Sequence, residues 1–372
     1  MSKLVLITGG AGFIGSHVSD ALLKRGYRVR VIDNLSPQVH GKCQDKPEYL
    51  DPEVEFIKGD ITDSDLICKC LKDVDIVFHF AASVGVGQSM YQIQKYTHTN
   101  NFGTAVLLQN LINNKAERLI VASSMSVYGE GLYKTINGEL IQNAERSLGD
   151  LQCGKWDLCD LHGNILEPVP TSEVKIPALA SLYALSKYDQ ERMCLVIGRA
   201  YNIPTVAMRF FNVYGTRQAL SNPYTGVLAI FAARLLNNKP PLIFEDGLQK
   251  RDFVSVHDVC NACILALEKE SVVNNVFNIG SGKSYTVTDV SRALSKVLGR
   301  EHIEPHITCK YRVGDIRHCF ADITRAENIL GYKPQYTLEQ GLGELAFWLE
   351  GQIASDNFDV ANSELIERGL AL

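Results

Sequence analysis

The sequence predicts an α/β fold, a doubly wound parallel sheet with a smaller C-terminal substrate domain. Three observations predict it. Apolar, β-branched runs alternate with helical patterns through the first two thirds of the chain. A glycine motif, Gly9-x-x-Gly12-x-x-Gly15, joins the first apolar run to the first helical pattern. From about residue 216 the alternation gives way to short strands and mixed helices. Strand–helix alternation is the pattern of right-handed parallel crossovers, and strands apolar on both faces belong in a sheet covered on both sides.

The first strand is the run Lys3-Leu4-Val5-Leu6-Ile7, and an amphipathic stretch, 17–24, follows the glycines. In that strand–turn–helix context the motif reads as a dinucleotide site, which makes the sheet Rossmann-type. Gly9 permits a tight turn. Gly12 lets the backbone approach a pyrophosphate, and Gly15 allows close helix–strand packing. Further buried strands are expected at 28–33, 54–57, 76–80, 119–123 and 205–210, with helices at 103–113 and 181–201 between them. A short strand at 242–244 opens the changed rhythm, while 256–267 and 276–279 return to the main pattern. Two interleaved domains are therefore expected. Residues 1–215, with an insertion at 130–180, form the dinucleotide-binding domain, and 253–280 returns to it. Residues 216–372 mainly form the substrate domain. The insertion is polar, rich in Gly, Pro and Asn, and without clear periodicity. It reads equally as a lid at the ligand edge or as a passive surface excursion.

The 372 residues are 46% hydrophobic, enough for a large core, and the formal net charge is -5 with both signs dispersed. No basic stripe marks a nucleic-acid partner, and no apolar run approaches the ~20 residues that span a bilayer. The chain runs straight into a strand with no export signal, so a cytoplasmic location is expected. Of ten cysteines, Cys68, Cys70, Cys194, Cys260 and Cys263 fall in predicted helices, and reduced thiols are expected. Cys153, Cys159 and His162 offer three zinc-ligand side chains where a closed site takes four, so no metal is expected. His40, His79 and His98 stand isolated and receive no role.

Asp33 ends the second strand, 18 positions after Gly15. An acidic residue there accepts hydrogen bonds from both adenosine ribose hydroxyls and repels a 2′-phosphate, which favours NAD over NADP. Asp60, after the third strand, reads either as an acceptor for the adenine amino group or as a capping residue. Tyr183-x-x-x-Lys187 sets a phenol and an ammonium one helical turn apart. A phenol titrates near ~10 in water, so it needs a neighbouring positive charge to act as a base near neutrality. Taken alone, that spacing favours a buried Tyr and a snorkelling Lys on a long helix.

The motifs then accumulate in order: the glycines, Asp60-Ile61, Ala81-Ala82, Asn100, Ser123-Ser124-x-x-x-Tyr128-Gly129, Tyr183-x-x-Ser186-Lys187 and Arg209-x-x-Asn212-x-Tyr214-Gly215. Arg251-Asp252-Phe253-Val254 and Arg312-Val313-Gly314-Asp315 follow. Together they resemble the extended short-chain dehydrogenase/reductases, in the branch of nucleotide-sugar epimerases and dehydratases, over nearly the whole chain. The resemblance implies Tyr183 as general acid/base, supported by Lys187, with Ser124 on the reacting hydroxyl. It implies NAD held by Gly9, Gly12, Phe13, Ile14, Gly15, Asp33, Asn34, Asp60, Ile61, Phe80, Ala81, Ala82 and Asn100, together with Tyr183 and Lys187. It implies a nucleotide-diphosphate sugar held by Ser126, Asn212, Phe244, Arg251, Arg312 and Asp315, with Cys319 leaving room in the sugar pocket. For Phe244 and Asp315, core and cap readings stay open.

Met125-Ser126 discriminates among the reactions. Dehydratases of the family place an Asp-Glu pair there, decarboxylases a nearby Glu, and reductases often a Cys. What remains is 4-epimerisation. Phe78-His79-Phe80-Ala81 is similar to the UDP-glucose 4-epimerases. The insertion and the string Ser123 to Gly131 are more similar to a bacterial subgroup that includes dTDP-L-rhamnose 4-epimerases, which make dTDP-6-deoxy-L-talose. The alternatives are a UDP-glucose or UDP-GlcNAc type 4-epimerase, a nucleotide-sugar reductase or dehydrogenase, and a non-catalytic NAD-binding sensor. A homodimer is expected through helices 103–113 and 181–201, where Leu107, Leu111, Met193 and Ile197 suit either core or interface.

Overall fold

The computed structural model describes residues 2–43, 45–224, 226–312, 314–352 and 356–371; Val313 of the Arg312-to-Asp315 motif lies outside the described residues. Strand β1 (Leu4–Thr8) is buried at every residue. Its alternate side chains enter different cores, Val5 and Ile7 on one side and Leu4 and Leu6 on the other. Burial on both faces is why the run is apolar throughout. β2 (Arg28–Asp33), β3 (Glu55–Lys58), β4 (Ile76–His79), β5 (Arg118–Ser124), β6 (Thr205–Phe210) and β7 (Asn275–Ile279) complete a seven-stranded sheet in the order β7-β6-β5-β4-β1-β2-β3. The pairings are parallel. This is the doubly wound, Rossmann-type sheet that the sequence predicts. The order reverses between β1 and β4, and a crevice opens there beyond the carboxyl ends of the strands. The register sets Thr8 level with His79 and Ile32, and Ser124 level with Phe210.

Helices α1 (Phe13–Leu23), α2 (Gly103–Asn113), α3 (Leu182–Tyr201) and α4 (Val256–Glu268) flank the sheet. α1 and α4 cover one face, with Val18, Leu22, Val259 and Cys263 in its core. α2 and α3 cover the other, where Leu107 and Leu111 are fully buried and Met193 and Ile197 pack partly buried. Leu107 and Leu111 therefore serve the core and are not available to an interface. The large apolar side chains that α3 leaves outside are Leu185, 40% exposed, Val196, 53% exposed, and Tyr201 at its end, 38% exposed.

A third core lies C-terminal to β6. Helix Val227–Leu236 contributes Leu228, Phe231 and Leu235, and helix Leu338–Leu349 contributes Leu338, Leu342 and Leu345. Thr337 and Gln340 start the second of these with a capping box. The 130–180 insertion is more ordered than its sequence suggests. Leu132–Lys134 pairs antiparallel with Leu140–Ile141 and with Glu167–Val169, over a small core of Tyr133, Leu158 and Leu166. Strands of two and three residues are too short to show a period. A buried ion network ties the insertion to the C-terminal half. Arg146 reaches Glu130 at 3.2 Å and Glu245 at 2.6 Å, and the fully buried Arg317 binds Asp157, Glu245 and Asp246.

All ten cysteines are free, Cys153 and Cys159 on the surface. Among the described residues no three His, Cys, Asp or Glu side chains form a metal-binding group, and no helix is long and apolar enough to cross a membrane.

Candidate active site

The crevice at the strand ends is a cavity of about 530 Å³. Its wall begins at the glycine turn. Gly9 has φ +68, and a Cβ on it would lie 2.8 Å from the Ala81 backbone. A Cβ on Gly15 would lie 2.6 Å from Gly10 Cα and Gly9 O. Both glycines are thus demanded by the protein's own packing. Gly12 differs. Its φ of -71 suits any residue, and a Cβ there would approach one atom within 4 Å, Gly9 O at 3.2 Å. Its open side is the cavity. The N-terminus of α1 carries neither a side-chain cap nor an acid in its first turn, which leaves that turn open to an anion. A dinucleotide pyrophosphate fits that cradle.

Asp33 and Asn34 lie on the wall with Phe13, Ile14 and Ile61. Asp33 Oδ2 accepts from Ala11 N at 3.1 Å and Oδ1 from Leu35 N at 2.9 Å. His40, which sequence reasoning passed over, also lines the wall, its Nε2 3.6 Å from Asp33 Oδ1. Burial is the main influence on this pair, raising the carboxyl and lowering the imidazole. Asp60 lies behind the wall. Its Oδ2 accepts from Asn34 Nδ2 at 2.8 Å, and its Oδ1 from Thr62 N and Oγ1. Asn100 is fully buried and also lies off the wall. It accepts from Ser83 N at 2.7 Å and donates to Ser83 O and Ser186 Oγ, bracing the 81–85 loop against α3. Phe80, Ala81 and Ala82 lie on the wall.

Ser124, Tyr183 and Lys187 line the same cavity. Ser181 caps α3 through Ala184 N, which fixes where the helix starts and so where Tyr183 points. Ser124 Oγ accepts from Ser126 N at 3.2 Å and Ser126 Oγ at 2.9 Å. With both lone pairs engaged, the Ser124 proton is the part left to donate into the site. Burial pushes the Tyr183 phenol up to about 12, and the Ser124 hydroxyl bonded to it offsets part of that rise. Burial brings the Lys187 ammonium down to about 8. Glu191, on the same helix, accepts from Ser123 Oγ at 2.7 Å and clasps Arg209 at 2.7 and 2.9 Å. That pair pins α3 to β5 and β6.

Of the expected substrate residues, Ser126 and Asn212 are on the wall. Strand Asn212–Tyr214 pairs with Phe253–Ser255, and Asn212 Oδ1 is buried without a partner. Phe244, Arg312 and Asp315 form a separate group: the Arg312 guanidinium stacks 4.1 Å from the Phe244 ring centroid, and its Nε is 3.5 Å from Asp315. Arg251 is turned onto the carbonyls of Lys250, Ile316 and Arg317. Cys319 does not line this cavity. Its strand pairs with Lys250–Arg251 and sends the thiol into a small core with Met125, Val127 and Tyr128. Sequence reasoning also missed a polar strap at the cavity edge. Gln38 donates to Gln88 and Asn222 and accepts from Lys95, joining segments too distant in sequence to signal one another.

A family model described as the NAD dependent epimerase/dehydratase family matches residues 5–145 and 163–280, passing over the middle of the insertion. The dTDP-L-rhamnose 4-epimerase of Burkholderia thailandensis is 33% identical over 359 residues, 95% of this chain and 97% of its own. A putative UDP-glucose 4-epimerase of Methanocaldococcus jannaschii is 32% identical, covering 93% of this chain and 98% of its own. Among solved structures, the UDP-glucose 4-epimerase of Thermotoga maritima with UDP-glucose matches at TM-score 0.76 and 32% identity, over 93% of this chain and 98% of its own. The UDP-glucuronic acid 4-epimerase of Bacillus cereus with UDP-glucuronic acid and NAD matches at TM-score 0.76 and 29% identity, over 93% and 99%.

Proposed function

Since the chain belongs to the NAD-dependent epimerase/dehydratase family, we propose that it is an isomerase, an NAD-dependent nucleotide-sugar 4-epimerase. The observation that carries this reading is one cavity shared by the Gly12 cradle and by Ser124, Tyr183 and Lys187. NAD, when bound, supplies reversible hydride acceptance at the sugar C4 and a positive charge beside the phenol. Tyr183 removes the C4 hydroxyl proton and later returns it. Lys187, one helical turn from Tyr183 on the same cavity wall, keeps a positive charge in the site, and the further charge that NAD would supply lowers the phenol from its cofactor-free value. Ser124 donates to the C4 oxygen as negative charge develops there. Between the two half-reactions the 4-keto sugar turns about its diphosphate link and presents its other face. Met125 and Ser126 have no carboxyl with which to expel water, which favours epimerisation over dehydration.

For the sugar, we propose dTDP-L-rhamnose, converted to dTDP-6-deoxy-L-talose. Support comes from the Burkholderia relative and from Val84, Val86 and Met125 on the wall, hydrocarbon that suits a C6 methyl better than a hydroxyl. A UDP-hexose is the second reading, favoured by the likeness to the Thermotoga enzyme. The NAD-binding role of residues 1–215 with 253–280, and of a substrate role for 216–372, are part of the same proposal. So are a cytoplasmic location and a homodimer seated on the exposed Leu185 and Val196 of α3.

The test is a C4-deuterated nucleotide sugar in ordinary water. Product inverted at C4 and still deuterated supports the round trip. A product lighter by one water refutes the epimerase reading, and stoichiometric NADH accumulation makes the protein a dehydrogenase. Rates on dTDP-L-rhamnose and UDP-glucose decide between the two sugars.

A further inference from the structure

Behind Lys187 lies a buried polar network that the reaction does not use directly. Lys187 Nζ donates to Gln190 Oε1 at 2.7 Å, three residues along α3. Gln190 is 1% exposed, and its Nε2 donates to Thr104 Oγ1 at 2.8 Å and to the Ala81 carbonyl at 3.3 Å. The Thr104 hydroxyl has one proton and gives it to Asn100 O at 2.5 Å. Thr104 Oγ1 therefore accepts from Gln190 and from His79 Nε2, which lies 2.8 Å away; the 3.2 Å approach of Gln190 Nε2 to His79 Nε2 is then a contact between two donors that share this oxygen. His79 Nδ1 then accepts from Thr8 Oγ1 at 2.8 Å, and that oxygen in turn accepts from Ala81 N at 3.2 Å. The chain of donors fixes the Gln190 amide with its nitrogen toward the sheet and its oxygen toward the lysine. It runs from Lys187 to Thr8, the residue before the glycine turn.

We propose that Gln190 is a positioning residue that orients the Lys187 ammonium toward the cavity without neutralising it. This rests on the acid–base roles proposed for Tyr183 and Lys187. The groups facing the pair agree with it. Glu191, the carboxylate on the same helix, is engaged by Arg209 and Ser123. From β4, burial lowers His79 to about 3, so the imidazole is neutral. Burial raises Cys194 to about 12, so the thiol is neutral as well. Ser124 and Tyr96, the polar side chains acting with Tyr183, carry no charge near neutrality. A neutral acceptor holds the ammonium in place while its positive charge stays available to the phenol. A carboxylate at 190 would cancel that charge and would leave the Ala81 carbonyl without its donor.

The test uses NAD-loaded enzyme with Gln190→Glu and with Gln190→Met, which keeps the length and removes both polar ends. The Tyr183 phenolate is titrated by near-ultraviolet difference absorbance, each variant against its own Tyr183→Phe counterpart. Melting temperature and bound NAD are measured in parallel. Gln190→Glu is expected to raise the Tyr183 midpoint by about one unit or more. Gln190→Met is expected to lower kcat about tenfold while the sugar KM stays within about twofold. An unmoved midpoint in Gln190→Glu with normal kcat in Gln190→Met overturns the proposal, and so does a lowered melting temperature with an unmoved midpoint. If Gln190→Glu does not fold, kcat of Gln190→Met decides alone. The titration needs no sugar, so a wild type inactive on every sugar refutes the epimerase reading and leaves this measurement standing.

Discussion

Alanine at Gly12 separates ligand from packing within a single motif. The backbone at Gly12, φ -71 and ψ 177, is open to alanine, and the new methyl would approach only Gly9 O, at 3.2 Å. Losing glycine at this N-cap costs about 0.5–1 kcal/mol, and restricting the unfolded chain returns about 0.4–1 kcal/mol. The apoprotein should therefore melt close to wild type. Gly15→Ala should not, because its methyl would sit 2.6 Å from two backbone atoms of the neighbouring turn and would push α1 off β1. Overpacking of that kind costs about 1–3 kcal/mol or more. The order should invert for cofactor. The Gly12 methyl projects where a pyrophosphate makes its closest approach, so NAD affinity should fall by at least about tenfold, or ~1.4 kcal/mol. Thermal melts of the apoproteins and calorimetric titration with NAD check both halves. If Gly12→Ala melts as low as Gly15→Ala, or binds NAD as wild type does, the cradle has been misread.

Tyr183→Phe should keep fold and NAD content while kcat falls about 10²–10⁴-fold, and a near-normal rate would mean another group moves the proton. In wild type, the phenol that burial pushes up to about 12 without cofactor should titrate lower once NAD is bound; kcat should rise with pH through that lowered midpoint, and a midpoint that NAD leaves unchanged would remove Tyr183 as the base. Asp33→Ala should weaken NAD binding about tenfold to a hundredfold by removing the acceptor for the ribose hydroxyls, and equal wild-type affinity for NAD and NADP would refute that role. Glu191→Gln leaves the buried Arg209 without its counter-charge and should cost about 3–5 kcal/mol in denaturant melts; a midpoint equal to wild type would show that the pair adds nothing net.

The sheet was legible because its strands are apolar on both faces, and the glycine turn because two of its glycines answer to backbone contacts. The helix bearing Tyr183 and Lys187 was legible from its length. The insertion was not, because a sheet of two- and three-residue strands leaves no periodic trace. The neighbours of His79 could not be read at all: Thr8, Thr104 and Gln190 come from three separate elements and meet around the imidazole only once the sheet has formed. Asp60 and Asn100 mark the same limit. Their motif positions are plain in sequence, yet each lies off the cavity wall and spends its polar atoms on protein neighbours, Asp60 on Asn34 and Thr62, Asn100 on Ser83 and Ser186. Arg251 and Cys319 fall in short paired strands whose orientation depends on long-range pairing.

Strand β7 occupies the edge of the sheet beside β6, although some sixty residues of other structure separate the two in the chain. A ribosome releases β1 to β6 first, and β6 then waits with an open flank, its unpaired backbone groups exposed. The outer face of α1 waits as well, since α4, which covers it, is made just before β7. The nucleotide cradle therefore cannot reach its final rigidity until synthesis has passed residue 279. Fragments ending near residue 215 should be sticky and short-lived, and adding 253–280 as a separate peptide should restore solubility by closing that flank.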